Sequence, residues 1–434
     1  MKAFLSIAVF CGAYALIATE KINKTIVAVA GASLVLFLRL VTFEQAAAAI
    51  DMNVIFLLVG MMTCVYILSR TGFFEWVAIS VARRAQGDPV RIMLWLLTVT
   101  AALSAVLDNV TTIIMIAPVT ILIMQLLEIS PVPLLILEAL ASNIGGTSTL
   151  IGDPPNIIIG SSAGLSFNDF LVHLFPVVAL VFLVFLATNV LVFRRRFIAS
   201  ASVRSRVADA VPSLAVVDRA NMKRSLIVLG FIFAGFFFHE LAGVPPGIVA
   251  LCGSMVMLVV CRHKSDDTLM RVEWGVIFFF IGMFMMIAAL EANGVIAALG
   301  NGIIRVAGGD LFVMCLVVLW GSALFSAILD NIPFVIAMVP IIKQFIAHFA
   351  AGMPITDGAA QAHAATPLWW ALALGACLGG NGTLIGASAN VVMSRISEKN
   401  NYPVTFSRFL RYGTPFLLQS LLISTAYLWF RYFR

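Results

Sequence analysis

Residues 145–156 read GGTSTLIGDPPN and residues 379–390 read GGNGTLIGASAN. Both stretches set glycines and hydroxyl side chains into an otherwise apolar run, and they align residue for residue at an offset of 234. Working outward from this pair, the agreement continues at an offset of 222. Ile26-Val27-Ala28 falls on Ile248-Val249-Ala250, Gly31 on Gly253, Asp51 on Glu273 and Gly60-Met61 on Gly282-Met283. Gly72 falls on Gly294, and SAVLDN (104–109) falls on SAILDN (326–331). The offset grows because the second half carries a longer polar loop around MPITDGAAQAHAATP (353–367). The chain is therefore two copies of one unit joined by a basic stretch.

Composition names the solvent. Of 434 residues, 62% are hydrophobic and 11% charged, more apolar surface than a water-soluble domain of this size can hide. Apolar segments around 55–68, 170–193, 225–238, 248–261, 276–290 and 415–430 have, with their flanks, the roughly 20 residues that a bilayer-crossing helix needs. The start, MKAFLSIAVFCGAYALIATEK, lacks a small-residue cleavage site and reads as the first spanning helix. The six cysteines lie scattered in apolar segments with no CxxC spacing, so neither a disulfide framework nor a metal site is expected. The net charge of +6 reads as a topology signal, with the bilayer as partner and no nucleic acid.

The fold expected is an all-α polytopic membrane protein. Repeat 1 covers 1–193, with a re-entrant hairpin at 91–127 and a broken helix at 133–163. A cytoplasmic linker spans 194–224, and repeat 2 covers 225–434 with a hairpin at 310–349 and a broken helix at 368–397. A carboxylate-bearing loop at membrane depth is tolerated only where protein buries it or it lines a cavity, which is why the Asp-Asn pairs are read as hairpin tips. Five crossings per unit is odd, so the second copy must be inverted. Charge supports that count: with both termini outside, 21 of the 27 Lys and Arg fall in the inner segments 20–24, 70–91, 194–224, 262–271 and 395–411.

Inverted repeats with discontinuous helices meeting at the midplane characterise secondary transporters. The candidate ion or substrate ligands are the tips Asp108, Asn109, Thr111, Asp330 and Asn331, with Asn143, Gly145, Gly146, Thr147, Ser148 and Thr149 of the first break. Gly379, Gly380, Asn381, Gly382 and Thr383 are those of the second. The glycines are expected to adopt φ > 0 and to let backbone approach the solute. Asp108 and Asp330 are proton-relay candidates; either could simply cap a helix, but Ser or Asn would cap without the cost of a charge in the membrane. Glu138 and Asp153 are further relay candidates, although Asp153 before Pro154-Pro155 also fits ordinary helix-start chemistry. Asn156 and Asn390 recur as supports of the restarted helices.

SAVLDNVTT, SNIGGTSTLIGDPPN, SAILDNIPF and ACLGGNGTLIGASAN closely resemble the ion transporter superfamily, in the branch joining arsenite/antimonite permeases, NhaD-type sodium/proton antiporters and the melanosomal P protein. The resemblance covers essentially the whole chain and implies inverted repeats, a transport domain moving against a scaffold, and often a homodimer. An arsenite permease would add an ATPase subunit as a partner. The more distant divalent-anion/sodium symporters have Ser-Asn-Thr at their tips, where this chain has Asp108-Asn109-Val110 and Asp330-Asn331-Ile332.

A proton-coupled permease of the inner membrane follows as the expectation, with arsenite or antimonite efflux its first solute, because the ligands gathered above include no Lys or Arg. A Na⁺/H⁺ antiporter, a P-protein-like anion pathway and sodium-coupled dicarboxylate uptake are the alternatives. No cofactor is expected beyond transported or coupling H⁺ or Na⁺. With no nucleotide loop, nucleophile–base pair or HExxH, nothing indicates an enzyme.

Overall fold

The computed structural model describes the chain except residues 19–21, 195–196, 201–202, 205–210, 308–309 and 352–356. Parts of the basic linker, of the inner segment 20–24 and of the polar loop near 353 therefore lie outside the described residues. All regular structure among the described residues is helical. The first half contains α1 (Lys2–Ala18), α2 (Lys24–Phe37), α3 (Phe43–Ala48), α4 (Met52–Ser69), α5 (Phe73–Arg84) and α6 (Pro89–Ser104). It continues through α7 (Asn109–Leu126), α8 (Val132–Gly146), α9 (Pro154–Ala163), α10 (Phe167–His173) and α11 (Phe175–Phe193). The second half runs α12 (Arg219–Ala242), α13 (Pro246–Val260), α14 (Ser265–Leu269), α15 (Trp274–Ala292), α16 (Val295–Ala307) and α17 (Leu311–Ile328). It ends with α18 (Asn331–Ala351), α19 (Asp357–Gly379), α20 (Ser388–Lys399) and α21 (Phe406–Leu428). Among the described residues, seven helices are long and apolar enough to cross a bilayer, so the chain is a multi-pass membrane protein.

Local chemistry sets the helix ends, and it repeats. Asp88 caps α6 and Asp310 caps α17 at the same position of each unit, each carboxylate accepting from backbone N–H. Pro118 in α7 and Pro340 in α18 also stand 222 residues apart. After Lys24–Phe37 the chain turns through Arg39 at φ 52°, which ends α2. Two elements differ from the sequence expectation. The connection at 70–91 contains α5, because basic residues on one face hid an apolar side formed by Phe74, Ala78, Val81 and Ala82. The segment 170–193 is divided between α10 and α11.

Helices pack in two groups. In one, α2 lies on α15 and α4 on α13, with α1 against α2 and α12 against α13. In the other, α6 and α7 pack on α8, α17 and α18 pack on α19, and α20 crosses to α7 and α8 while α9 crosses to α18 and α19. Contacts between the halves recur with partners exchanged. A methyl on Gly60 would lie 2.5 Å from the carbonyl carbon of Ala250, and one on Gly282 would lie 2.6 Å from that of Ala28. Asn53 Oδ1 accepts from the Gly247 amide at 2.7 Å, while the Gly275 carbonyl accepts from Thr25 Oγ1 at 2.7 Å. Asn143 Nδ2 donates to Asn390 Oδ1 at 3.1 Å, while Cys377 Sγ donates to Asn156 Oδ1 at 3.4 Å. Only small residues allow helices to approach this closely, and close packing is what holds helices together in lipid.

Candidate functional site

The two breaks sit in the most buried part of the molecule. α8 runs through Gly145 and Gly146 before unwinding at Thr147, and α19 runs to Gly379. The glycines are not there for positive φ, which corrects the sequence expectation: no glycine of either break is in the left-handed region. They are there for close approach. A methyl on Gly145 would lie 2.1 Å from the Ala101 carbonyl oxygen, and one on Gly146 2.2 Å from Asn109 Oδ1. In the second half, a methyl on Gly379 would lie 2.7 Å from Cα of Ala323, and one on Gly382 2.7 Å from Cβ of Ala327. What the glycines admit is the preceding helical arm and its tip rather than a solute.

Hydroxyl and amide groups then tie each break to its tip. Ser104 Oγ donates to the Ser142 carbonyl at 2.7 Å, and Ser326 Oγ to that of Ala376 at 2.6 Å. Thr149 donates to the Ala105 carbonyl at 2.5 Å, and Thr383 donates to that of Ala327. Asn156 Nδ2 donates to the carbonyls of Thr147 and Thr149 at 3.1 and 2.9 Å, and Asn390 Nδ2 to those of Gly380 and Thr383 at 2.8 and 3.0 Å. Thr147 and Ser148 donate back to Asn143 and Gly145 carbonyls. Asn381 Oδ1 accepts from Asn143 at 2.9 Å. The expected neutral ligands in the breaks therefore have their hydrogen bonds met inside the protein, away from the cavity described next.

That cavity, of about 420 Å³, lies between the two tips and is lined by both halves. Of the sequence candidates, Asp108, Asn109, Asp153, Asp330 and Asn331 line it. Asp108 caps α7, with Oδ1 accepting from the Thr111 amide at 2.9 Å and Oδ2 from Thr111 Oγ1 at 2.5 Å. Asn109 is buried, with Oδ1 2.6 Å from Ser104 Oγ and Nδ2 donating to Asn143 at 3.3 Å. Asp153 precedes α9 yet makes no capping bond. It is 1% exposed, with Oδ1 3.4 Å from Asn331 Nδ2 and Oδ2 without a protein partner. Glu138 lies apart from this cavity, packed with Oε1 accepting from Thr120 at 2.6 Å.

Lys24, Glu273, Ser388 and Arg395 also line the cavity, and sequence reasoning missed them. Lys24 Nζ lies 2.8 Å from Asp330 Oδ2 and 2.9 Å from Ser388 Oγ, and Ser388 Oγ donates to the same carboxylate oxygen at 2.9 Å. The ammonium also lies 5.1 Å from the centre of the Phe279 ring. Lys24 and Arg395, which the charge pattern reads as topology residues of inner segments, thus put two cations into a cavity whose expected ligands include no Lys or Arg. Glu273 departs from its repeat partner: Asp51 caps α4 through two backbone amides, whereas Glu273 makes no capping bond and lines the cavity, a difference that the aligned sequences do not show.

Comparison with known proteins gives the family. A citrate transporter family model matches residues 14–375. An uncharacterized transporter of Mycobacterium tuberculosis is 42% identical over 99% of this chain and 98% of its own length, and a 46 kDa membrane protein of Mycobacterium leprae is 42% identical over the same shares. The human P protein is 32% identical over 98% of this chain, which spans 59% of that protein. A match of this extent, together with a site built from both halves of a helical membrane protein, places the chain in the citrate transporter family of the ion transporter superfamily.

Proposed function

We propose that this membrane transporter is a cation-coupled secondary carrier that exchanges protons for a small monovalent cation, Na⁺ being the first candidate. The observation that carries this reading is one cavity in which Asp108, Asp153, Glu273 and Asp330 converge from both halves, against Lys24 and Arg395. Carboxylates held at membrane depth are costly and mark ion and proton pathways. The unpartnered Oδ2 of Asp153 is an acceptor for a proton or a metal cation. A solute carrying several negative charges, such as free citrate, meets four carboxylates here against two cationic side chains. Arsenite, largely uncharged at neutral pH, loses its main argument once Lys24 and Arg395 are in the cavity. In this reading the two units are inverted copies related by a pseudo-two-fold axis, the linker 194–224 is cytoplasmic, both termini are outside, and the cell membrane is the site of action.

Proteoliposomes loaded with a pH-sensitive dye test it. Pulses of Na⁺ or Li⁺ should move protons, whereas arsenite, antimonite and citrate pulses should not. Proton movement driven by one of the latter solutes and not by Na⁺ or Li⁺ would overturn the proposal.

A further inference from the structure

We infer that Asp330 and Ser388 form a monovalent-cation site in which the Lys24 ammonium is the resident occupant, and that this contact latches the carrier until a cation displaces it. The inference rests on the cation-exchange reading above and names its site.

The geometry is that of a bound cation. Nζ lies within 2.9 Å of two oxygens that are themselves 2.9 Å apart, and an aromatic face backs it. A single positive charge is what these oxygens select, and a sodium ion supplies the same charge without a tether. A second acceptor is at hand: Asn331, next to Asp330, contacts the buried Asp153, whose Oδ2 has no partner and which lines the same cavity. The other half cannot build this site. The counterpart of Lys24 is Pro246 and that of Ser388 is Pro154, so Asp108 is left with its cap to Thr111.

Position makes the pair a latch. Lys24 begins α2, which packs on α15. Asp330 sits at the second tip and Ser388 begins α20, which packs on α7 and α8. The ion pair thus bridges the two helix groups that a carrier must move against each other. When Na⁺ or a proton neutralises Asp330, the lysine loses its partner, and Glu273 and Asp108 in the same cavity are carboxylates able to receive it. An unloaded carrier stays latched, which is the condition for obligatory exchange rather than leak.

The test compares Lys24→Gln, which keeps a donor toward both oxygens but removes the charge, with Lys24→Arg and Ser388→Ala. Equilibrium binding of radioactive Na⁺ to the purified full chain and its efflux from proteoliposomes without exchangeable ion outside are both measured. If the latch is seated nine times in ten, Lys24→Gln should lower half-saturating Na⁺ about tenfold. It should also open a Na⁺ leak that wild type and Lys24→Arg lack. Ser388→Ala should weaken Na⁺ binding without a leak. Unchanged half-saturation and no leak in a folded Lys24→Gln protein would overturn the latch while leaving cation exchange standing. Absence of saturable Na⁺ or Li⁺ binding in wild type would overturn the exchange reading, and this site with it.

Discussion

Replacing Asp153 by asparagine removes one charge and almost nothing else, which makes it a clean probe of what the carboxylate does. A helix cap is not at stake. Asp153 lies in extended conformation at φ −139°, ψ 131° without a capping bond, and its repeat counterpart Ala387 occupies the same position at φ −145°, ψ 142° with no side-chain oxygen at all. Loss of a true cap would cost about 1 kcal/mol. Here the substitution relieves a buried charge whose one oxygen has a 3.4 Å contact and whose other has none. Removing a carboxyl group that is costly to bury charged and unpaired relieves about as much as the new amide without a partner costs, about 1–3 kcal/mol. The two nearly offset, so thermal unfolding in detergent should shift by no more than about 3 °C. Proton flux in proteoliposomes should nevertheless fall about 100-fold or more, the scale set by loss of a proton-transferring group. Wild-type flux in Asp153→Asn, or a flux loss that merely tracks a large fall in unfolding temperature, would refute the reasoning.

Other substitutions separate structural from transporting roles. Asn390→Ala strands the Gly380 and Thr383 carbonyls and the Asn143 amide, so unfolding measurements should show a loss of about 2–4 kcal/mol, with Asn156→Ala close behind. Gly60→Val and Gly282→Val should each cost about 3 kcal/mol or more, because each added methyl meets backbone of the other half; a stable variant would contradict that packing. Glu138→Gln should carry protons at the wild-type rate, since Glu138 lies away from the cavity; a loss of flux would return it to the relay.

Much of this molecule can be read without coordinates. The offsets of 222 and 234 pair its parts, and the structure hangs matched hydrogen bonds on them: Ser104 with Ser326, Thr149 with Thr383, Asn156 with Asn390. Such features are legible because a repeat preserves local chemistry in register. The role of the glycines was half legible. Their placement announced a break, but whether glycine answers a backbone angle or a neighbour is a question about what lies beside it.

Composition, repeat and motif determined that the chain spans a membrane with helices, and they picked out Asp108, Glu138, Asp153 and Asp330 as its candidate relay charges. Only the tertiary structure decided which of these meet, and what meets them. Lys24 and Asp330 stand 306 residues apart, and Ser388 lies 364 from Lys24, with no periodicity to link them. In sequence a lysine at the start of a helix reads as a topology charge. In space the same ammonium sits against a carboxylate, because exchanged packing between the halves brings α2 beside the second tip. Electrostatic partnership depends on distance through space, and a sequence encodes distance only along the chain.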